Sequence, residues 1–267
     1  MGRHESGSAK LRGSMAAIAA LAALMAGGGC TTNSTGGTPS LVTASPDGAS
    51  QQAAFDEAMR LSTLYQERPD DLAVGFRFAS ALMAIGSRAK AVEVLGEIST
   101  RHPGNRDALS AYGKALAEAG RGGEANAVLD RAAQLGDPDW KLLSARGMAF
   151  DQSDQYAAAQ AEYGKAARLA PDEPTIFNNW GLSHALAGDL DQAEAMLVKA
   201  AGMAGADKKV RANLALVLGL QGKFDEAEKV SAIDLPPEAA RANVAYLREM
   251  LKQPDAWEML RQGGGAA

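Results

Sequence analysis

The sequence predicts an all-α solenoid of about five helix–turn–helix units, and three observations carry that prediction. Ala91, Ala125, Ala159, Ala193 and Ala227 stand 34 residues apart. Small residues recur twelve positions earlier in each unit, at Ala79, Gly113, Gly147, Gly181 and Ala215. Gly86, Gly120, Asp154, Gly188 and Gly222 fall between the two series, where a turn is needed. Self-similarity at a fixed period of this size is the mark of a stacked repeat, because one helix pair cannot bury its apolar face alone.

The elements follow in order. Residues 51–71 read as an N-terminal cap whose lone second helix, Gln51 to Glu67, closes the first unit, and residues 72–241 as the five units. Pro69, Pro103 and Pro171 end units at one phase, with Asp137-Pro138 in the vacant place. In each pair the small residues let two backbones approach. Leu82, Leu116, Phe150 and Leu218, with Leu95, Leu129, Tyr163 and Leu197, supply the larger core side chains. Two units depart from this pattern: Arg146 takes an apolar position, and Gly122-Gly123 replaces a large residue at the turn, so the second unit is expected to be the softest. Residues 242–267 read as capping helices and a frayed tail. Pro236-Pro237 opens a helix reaching Lys252, with proline in the first turn where it is tolerated, and a short helix is expected over 254–262. The repeat length and its small/large pattern resemble the tetratricopeptide repeat, which implies a tetratricopeptide repeat solenoid.

The N-terminus reads differently. Arg3, Lys10 and Arg12 precede an unbroken apolar run, Met15 to Ala26. That run is too short to span a membrane, which takes about 20 residues. It fits a secretory signal peptide, so residues 1–29 are excluded from the fold. Cys30 is the only cysteine, which rules out an internal disulfide. Three readings of Cys30 remain: a buried structural thiol, a free thiol left by cleavage after Ala26, or a lipidation site. Gly27-Gly28-Gly29-Cys30 resembles a bacterial lipobox, which implies that Cys30 becomes an acylated N-terminus. With Thr31 following, that resemblance also implies the outer membrane rather than inner-membrane retention, with a soluble periplasmic protein as the alternative. Residues 30–50, rich in Thr, Ser, Gly and Pro, then form a flexible leash.

Composition excludes several functions. The chain carries a formal net charge of −5, and the residues after position 29 are more acidic still, since Arg3, Lys10 and Arg12 go with only Glu5. This balance disfavours nucleic acid or an anionic lipid surface as partner. Of three histidines, His4 lies in the signal segment, His102 precedes a proline and His184 falls at a core phase. No His, Cys or carboxylate cluster has metal-ligand spacing. Gly219-Leu-Gln-Gly222-Lys223 only brushes a phosphate-loop pattern, and Gly181-Leu-Ser-His-Ala185 lacks the second glycine of a nucleophile elbow. The expectation is a non-enzymatic chain with no metal, no cofactor beyond a lipid on Cys30 and no small-molecule substrate.

The tetratricopeptide resemblance implies a groove lined by the first helix of each pair. Family positions carry over to Phe76, Arg77, Ser80, Met83, Ser110, Lys114, Ser144 and Met148. In the last two units they fall on Asn178, Asn179, Leu182, Lys209, Asn213 and Leu216, the expected partner-binding set. Asn179 and Asn213 share one phase, and Asn243 repeats their local context. A carboxamide both donates and accepts, which suits capture of an extended backbone. It equally suits bonding to a neighbouring helix, and both readings stand. The family's carboxylate clamp is incomplete, with Ser144 and Met148 where Lys and Asn are needed.

Three segments narrow the resemblance further: "NNWGLSHALAGDLDQAEAML", "VRANLALVLGLQGKFDEAEKV" and "DLPPEAARANVAYLREML". Together they resemble TadD-like tetratricopeptide lipoproteins of the Tad (tight adherence) system, which builds Flp pili. That implies a periplasmic scaffold at the outer membrane whose partners are secretin or pilus assembly components. The alternatives are a lipoprotein adaptor of another envelope machine, such as a type IV pilus pilotin or an outer-membrane assembly factor, or a regulatory subunit docked on a peptidoglycan-modifying enzyme.

Overall fold

The structure, a computed structural model, describes residues 48–252. Those residues contain twelve α-helices and no strand. Helix α1 (Gly48–Glu67) precedes five pairs. The pairs are α2 (Leu72–Ala84) with α3 (Arg88–Arg101), α4 (Arg106–Glu118) with α5 (Gly122–Ala133), and α6 (Trp140–Asp151) with α7 (Tyr156–Leu169). Then come α8 (Pro174–Leu186) with α9 (Leu190–Ala201) and α10 (Lys208–Leu220) with α11 (Phe224–Ser231). Helix α12 (Pro237–Met250) closes the series, with Pro237 in its first turn, so the last cap begins before position 242. The expected signal segment, Cys30, most of the leash and the helix over 254–262 lie outside the described residues.

The repeat is written into three sets of residues. Asp71, Asn105, Asp139, Glu173 and Asp207, again 34 apart, stand at the N-cap of α2, α4, α6, α8 and α10. Each side chain accepts a backbone N–H from the first turn, as Asp139 does from Leu142 at 2.9 Å, which satisfies donors the helix cannot pair itself. At the turns, Gly86, Gly120, Gly188 and Gly222 have φ between 77° and 84°, and Asp154 reaches 56°. The left-handed region is open to glycine without strain and to Asp at modest cost, which explains why Asp154 can stand in the glycine series.

The third set is the crossing itself. All five alanines of the 34-residue series are 0% exposed. A Cβ on Gly181 would sit 2.7 Å from Leu197 Cγ and 3.0 Å from the Ala193 carbonyl oxygen, so only glycine lets α8 and α9 come this close. Each helix packs on its chain neighbours, and successive first helices also meet, α4 on α6, α6 on α8 and α8 on α10. The first helices therefore share one side of the stack.

The irregular positions have local solutions. Arg146 pairs with Asp130 at 3.3 Å and Glu162 at 3.7 Å while its guanidinium lies 5.9 Å from the Phe150 ring centroid. Gly122 is buried because Gln152 fills the space where a side chain would be: a Cβ there would meet Gln152 Cβ at 2.6 Å.

Candidate functional site

A cleft of about 640 Å³ opens on the side shared by the first helices. Its floor and walls come from Phe76 on α2, from Arg106, Ser110 and Lys114 on α4, and from Trp140, Lys141, Ser144 and Met148 on α6. Thr175 and Asn179 on α8 close it. Stacking at a constant 34-residue offset puts equivalent side chains of successive helices side by side, which is why positions so distant in sequence form one surface.

The charges in the cleft are partly cancelled within the fold. Arg106 Nη2 lies 3.2 Å from Asp139 Oδ2, and its Nη1 donates to the Asp137 carbonyl at 2.6 Å. This ties the start of α4 to the loop before α6. Lys114 is 3.7 Å from Glu118. Lys141 makes no ion pair among the described residues, and its Nζ lies 5.6 Å from the Trp140 ring centroid.

The structure separates the residues expected to bind a partner. Asn179 lines the cleft. Asn213 is 6% exposed, and its Nδ2 donates to Asn178 Oδ1 at 2.8 Å. Asn178 Nδ2 in turn donates to Asn179 Oδ1 at 3.1 Å, so three carboxamides from α10 and α8 form one relay that ends at the cleft. The inter-helix reading therefore describes Asn213, whereas the cleft position falls to Asn179. Leu216 needs correction as a groove residue: it is 0% exposed and belongs to the core of the last units, because α10 is covered on several sides at once. Leu182 is half-buried against the same core. Lys209 is exposed at the start of α10, away from the cleft lining, and Asn243 is buried in α12.

Of the residues carried over in the earlier units, Phe76, Ser110, Lys114, Ser144 and Met148 do line the cleft. Arg106, Asp107, Asp139, Trp140, Lys141 and Thr175 also line it and lie outside the carried-over set. The sequence held a signal for two of them: Asp139 belongs to the N-cap series, and Lys141 shares the phase of Lys209.

A second polar group lies away from the cleft. Asp151, at the end of α6, is 1% exposed. Its carboxylate accepts from Ser183 Oγ on α8 at 2.6 Å and from Tyr163 Oη on α7 at 2.9 Å. Burial pushes its pKa up to about 7, against the lowering effect of the two hydroxyl donors. Burial also raises Tyr163 well above the ordinary phenol range. His184 stacks on Trp180 with ring centroids 6.2 Å apart, and burial lowers its pKa against the opposing pull of Asp189. Among the described residues no three His, Cys, Asp or Glu side chains converge as a metal site, and no helix is long and apolar enough to cross a membrane.

No family model matches the chain, and no curated protein matches it. Solved structures do resemble it. A tetratricopeptide repeat protein from Parabacteroides merdae superposes with TM-score 0.63 at 11% identity, over 74% of this chain and 79% of that one. The APC/C hetero-tetramer Cut9-Hcn1 gives TM-score 0.58 at 15% identity over 80% of this chain, which spans only 42% of that larger one. A thermophilic tetratricopeptide protein of Thermus thermophilus, TTC0263, gives 0.51 at 21% identity over 63% of this chain and 98% of that one. With the helix order, the turn geometry and the buried alanine series, these likenesses make the fold a tetratricopeptide repeat solenoid.

Proposed function

We propose that the chain is a non-enzymatic scaffold that holds an extended segment of a protein partner in the cleft between α2 and α8. The observation that carries this reading is the cleft itself. It is open along the stack and joins aromatic and thioether surface from Phe76, Trp140 and Met148 to polar groups at Lys141 and Asn179. Apolar anchors beside a few placed donors are what peptide capture requires, since burial supplies affinity and hydrogen bonds fix register.

The finer reading rests on sequence. The signal-like N-terminus and the Cys30 context support a lipid-anchored protein on the periplasmic face of the outer membrane. Two or more acyl chains would make that anchor lasting. The TadD-like segments support a role in assembling the Flp pilus machinery. A leash of mostly Thr, Ser and Gly between Cys30 and α1 would let the solenoid reach a secretin beside its anchor.

One experiment tests the scaffold and its partner class together. A photo-cross-linking amino acid is placed at Met148, and separately at Ala127 on α5, which is exposed and absent from the cleft lining. Cross-links at Met148 to a secretin or pilus component, with none at Ala127, are expected. Equal labelling from both positions would remove the cleft as the binding surface. Labelling with palmitate that is lost in Cys30→Ser tests the anchor independently.

A further inference from the structure

We propose that the cleft selects an acidic, extended segment gripped along its length by Lys141 and Asn179, rather than a chain terminus. The proposal rests on the peptide-capture reading above and adds the chemistry of the captured segment. It follows from which polar groups the fold leaves open.

Two of the cleft's acceptors, Asp139 and Asn179, are engaged within the fold. Asp139 caps α6 through the Leu142 N–H at 2.9 Å and pairs with Arg106 at 3.2 Å. Asn178 Oδ1 accepts from Asn213, and Asn179 Oδ1 accepts from Asn178. The donors are not. The relay ends on the Asn179 Nδ2 group, which is held at the cleft wall by its own carbonyl's bond to Asn178. Lys141 has no carboxylate within ion-pair distance among the described residues. Among the described residues the only carboxylate paired with Lys114 is Glu118 at 3.7 Å, a contact with the lysine side chain 57% exposed, so solvent weakens it. Asp107 also lines the cleft and is largely exposed, with Arg106 Nε 3.9 Å from it, so the lining sets Arg106, Lys114 and Lys141 against Asp107 and Asp139 and keeps a positive balance.

A donor-rich cleft on a chain of net charge −5 also discriminates by repulsion. An acidic segment is disfavoured over much of the surface and accommodated along the cleft that Lys114, Lys141 and Asn179 line. Complementary charge of this kind sets specificity and association rate more than raw affinity. In this arrangement Asn179 is a contact residue, whereas Asn178 and Asn213 are positioning residues that fix which face of the Asn179 amide meets the partner.

The test uses the full chain and three fluorescent peptides capped at both ends. They share a central phenylalanine and differ only in flanking residues: glutamate, glutamine or lysine. The glutamate peptide is expected to bind best at low salt, with its advantage shrinking as salt screens the charges. Lys141→Gln should lower that advantage by roughly 3- to 10-fold. Lys229→Gln, exposed on α11, should leave it unchanged. Asn179→Ala should weaken the glutamate and glutamine peptides alike. Equal binding of all three peptides overturns the acidic preference and leaves peptide capture standing. A fourth peptide, the glutamate sequence with a free C-terminus, should bind no better than its capped form, and binding by the uncapped form alone overturns the proposal in favour of terminal carboxylate capture. If none of the three binds while Met148 still cross-links to its partner, the acidic preference alone falls; if both fail, the scaffold reading falls with it.

Discussion

Two polar networks cross the solenoid between successive first helices, and they are built to opposite ends. In one, Asp151, Tyr163 and Ser183 meet inside the joint of the third and fourth units, with the carboxylate 1% exposed and Ser183 0% exposed. In the other, Asn213, Asn178 and Asn179 link the fifth unit to the fourth and end in a cleft. The first is closed and ionisable. The second is open and cannot ionise. A closed ionisable network makes stability depend on pH, while an open carboxamide relay holds a donor in place across the whole pH range.

The largest expected effect breaks the closed network by pH. The Asp151 pKa rises from 3.8 to about 7 on folding, so the folded state binds the proton more tightly. Its stabilising contribution is therefore complete below the unfolded value and is lost as pH rises through about 7. A tenfold difference in proton affinity between folded and unfolded chains corresponds to about 1.4 kcal/mol, which puts the loss from Asp151 between pH 5 and pH 8 at about 2–3 kcal/mol. The groups facing the carboxylate are Tyr163 and Tyr156 from α7 and Ser183 from α8. From α4, α5 and the turn between them, Glu118, Arg121 and Glu124 are exposed, with Glu118 paired to Lys114 and the other two to each other. Denaturant unfolding at several pH values should show that decline in the wild type and its loss in Asp151→Asn, where the half-buried His184, with its lowered pKa, leaves at most a slight rise with pH. An unchanged slope in the variant would assign the dependence to other groups.

A smaller effect reaches the same network through packing. A Cβ on Gly147 would sit 2.6 Å from Tyr163 Cε1, and the ring is 1% exposed with no room to retreat. Gly147→Ala should therefore destabilise by about 1–3 kcal/mol despite alanine's helix preference of about 1 kcal/mol. It should also weaken the Tyr163–Asp151 bond and raise the Asp151 pKa further. Gly123→Ala is the control: nothing lies within 4 Å of its Cβ, and it sits in the first turn of α5, so it should leave stability unchanged or raise it slightly. Opposite signs at the two glycines, read by the denaturation midpoint, are the expected result.

How far the sequence disclosed these two regions differs for a physical reason. The crossing alanines, the left-handed turns and the large core residues recur at one period, so the stack was legible and even Tyr163 was placed in the core. Its partner Asp151 was not. Asp151 stands at the phase of Ala117, Ala185 and Gly219, and Ser183 at the phase of Ala115, Ala149 and Val217. Each reads alone as a lapse in the repeat, and only folding shows that the lapses meet. The cleft was legible as a set of phases but not as a place. A shared phase puts Leu182 and Leu216 in register with Lys114 and Met148, yet burial differs along the stack. The last units pack Leu216 into their core, while α4 and α6 leave Lys114 and Met148 on the cleft.

The smallest effects on stability belong to the open relay, and there the two ends should part. Asn213→Ala strands Asn178 Oδ1 in a partly buried site, which should cost about 1–2 kcal/mol of stability. Asn179→Ala removes a half-buried side chain whose carbonyl accepts one bond of 3.1 Å from Asn178, itself half-buried and able to turn to water, so the loss should stay within about 0.5 kcal/mol. Binding should rank the other way. Losing the Asn179 donor removes a direct contact, whereas losing Asn213 only loosens the amide that holds it, so Asn179→Ala should weaken capture of the glutamate peptide more than Asn213→Ala does. The double variant should lose less stability than the sum of the two, because the residues are coupled through Asn178. Melting and peptide affinity measured on the same four proteins give both rankings. If affinity simply followed melting, the relay would be a packing device like the Asp151 network, and the contrast between a closed and an open network would collapse.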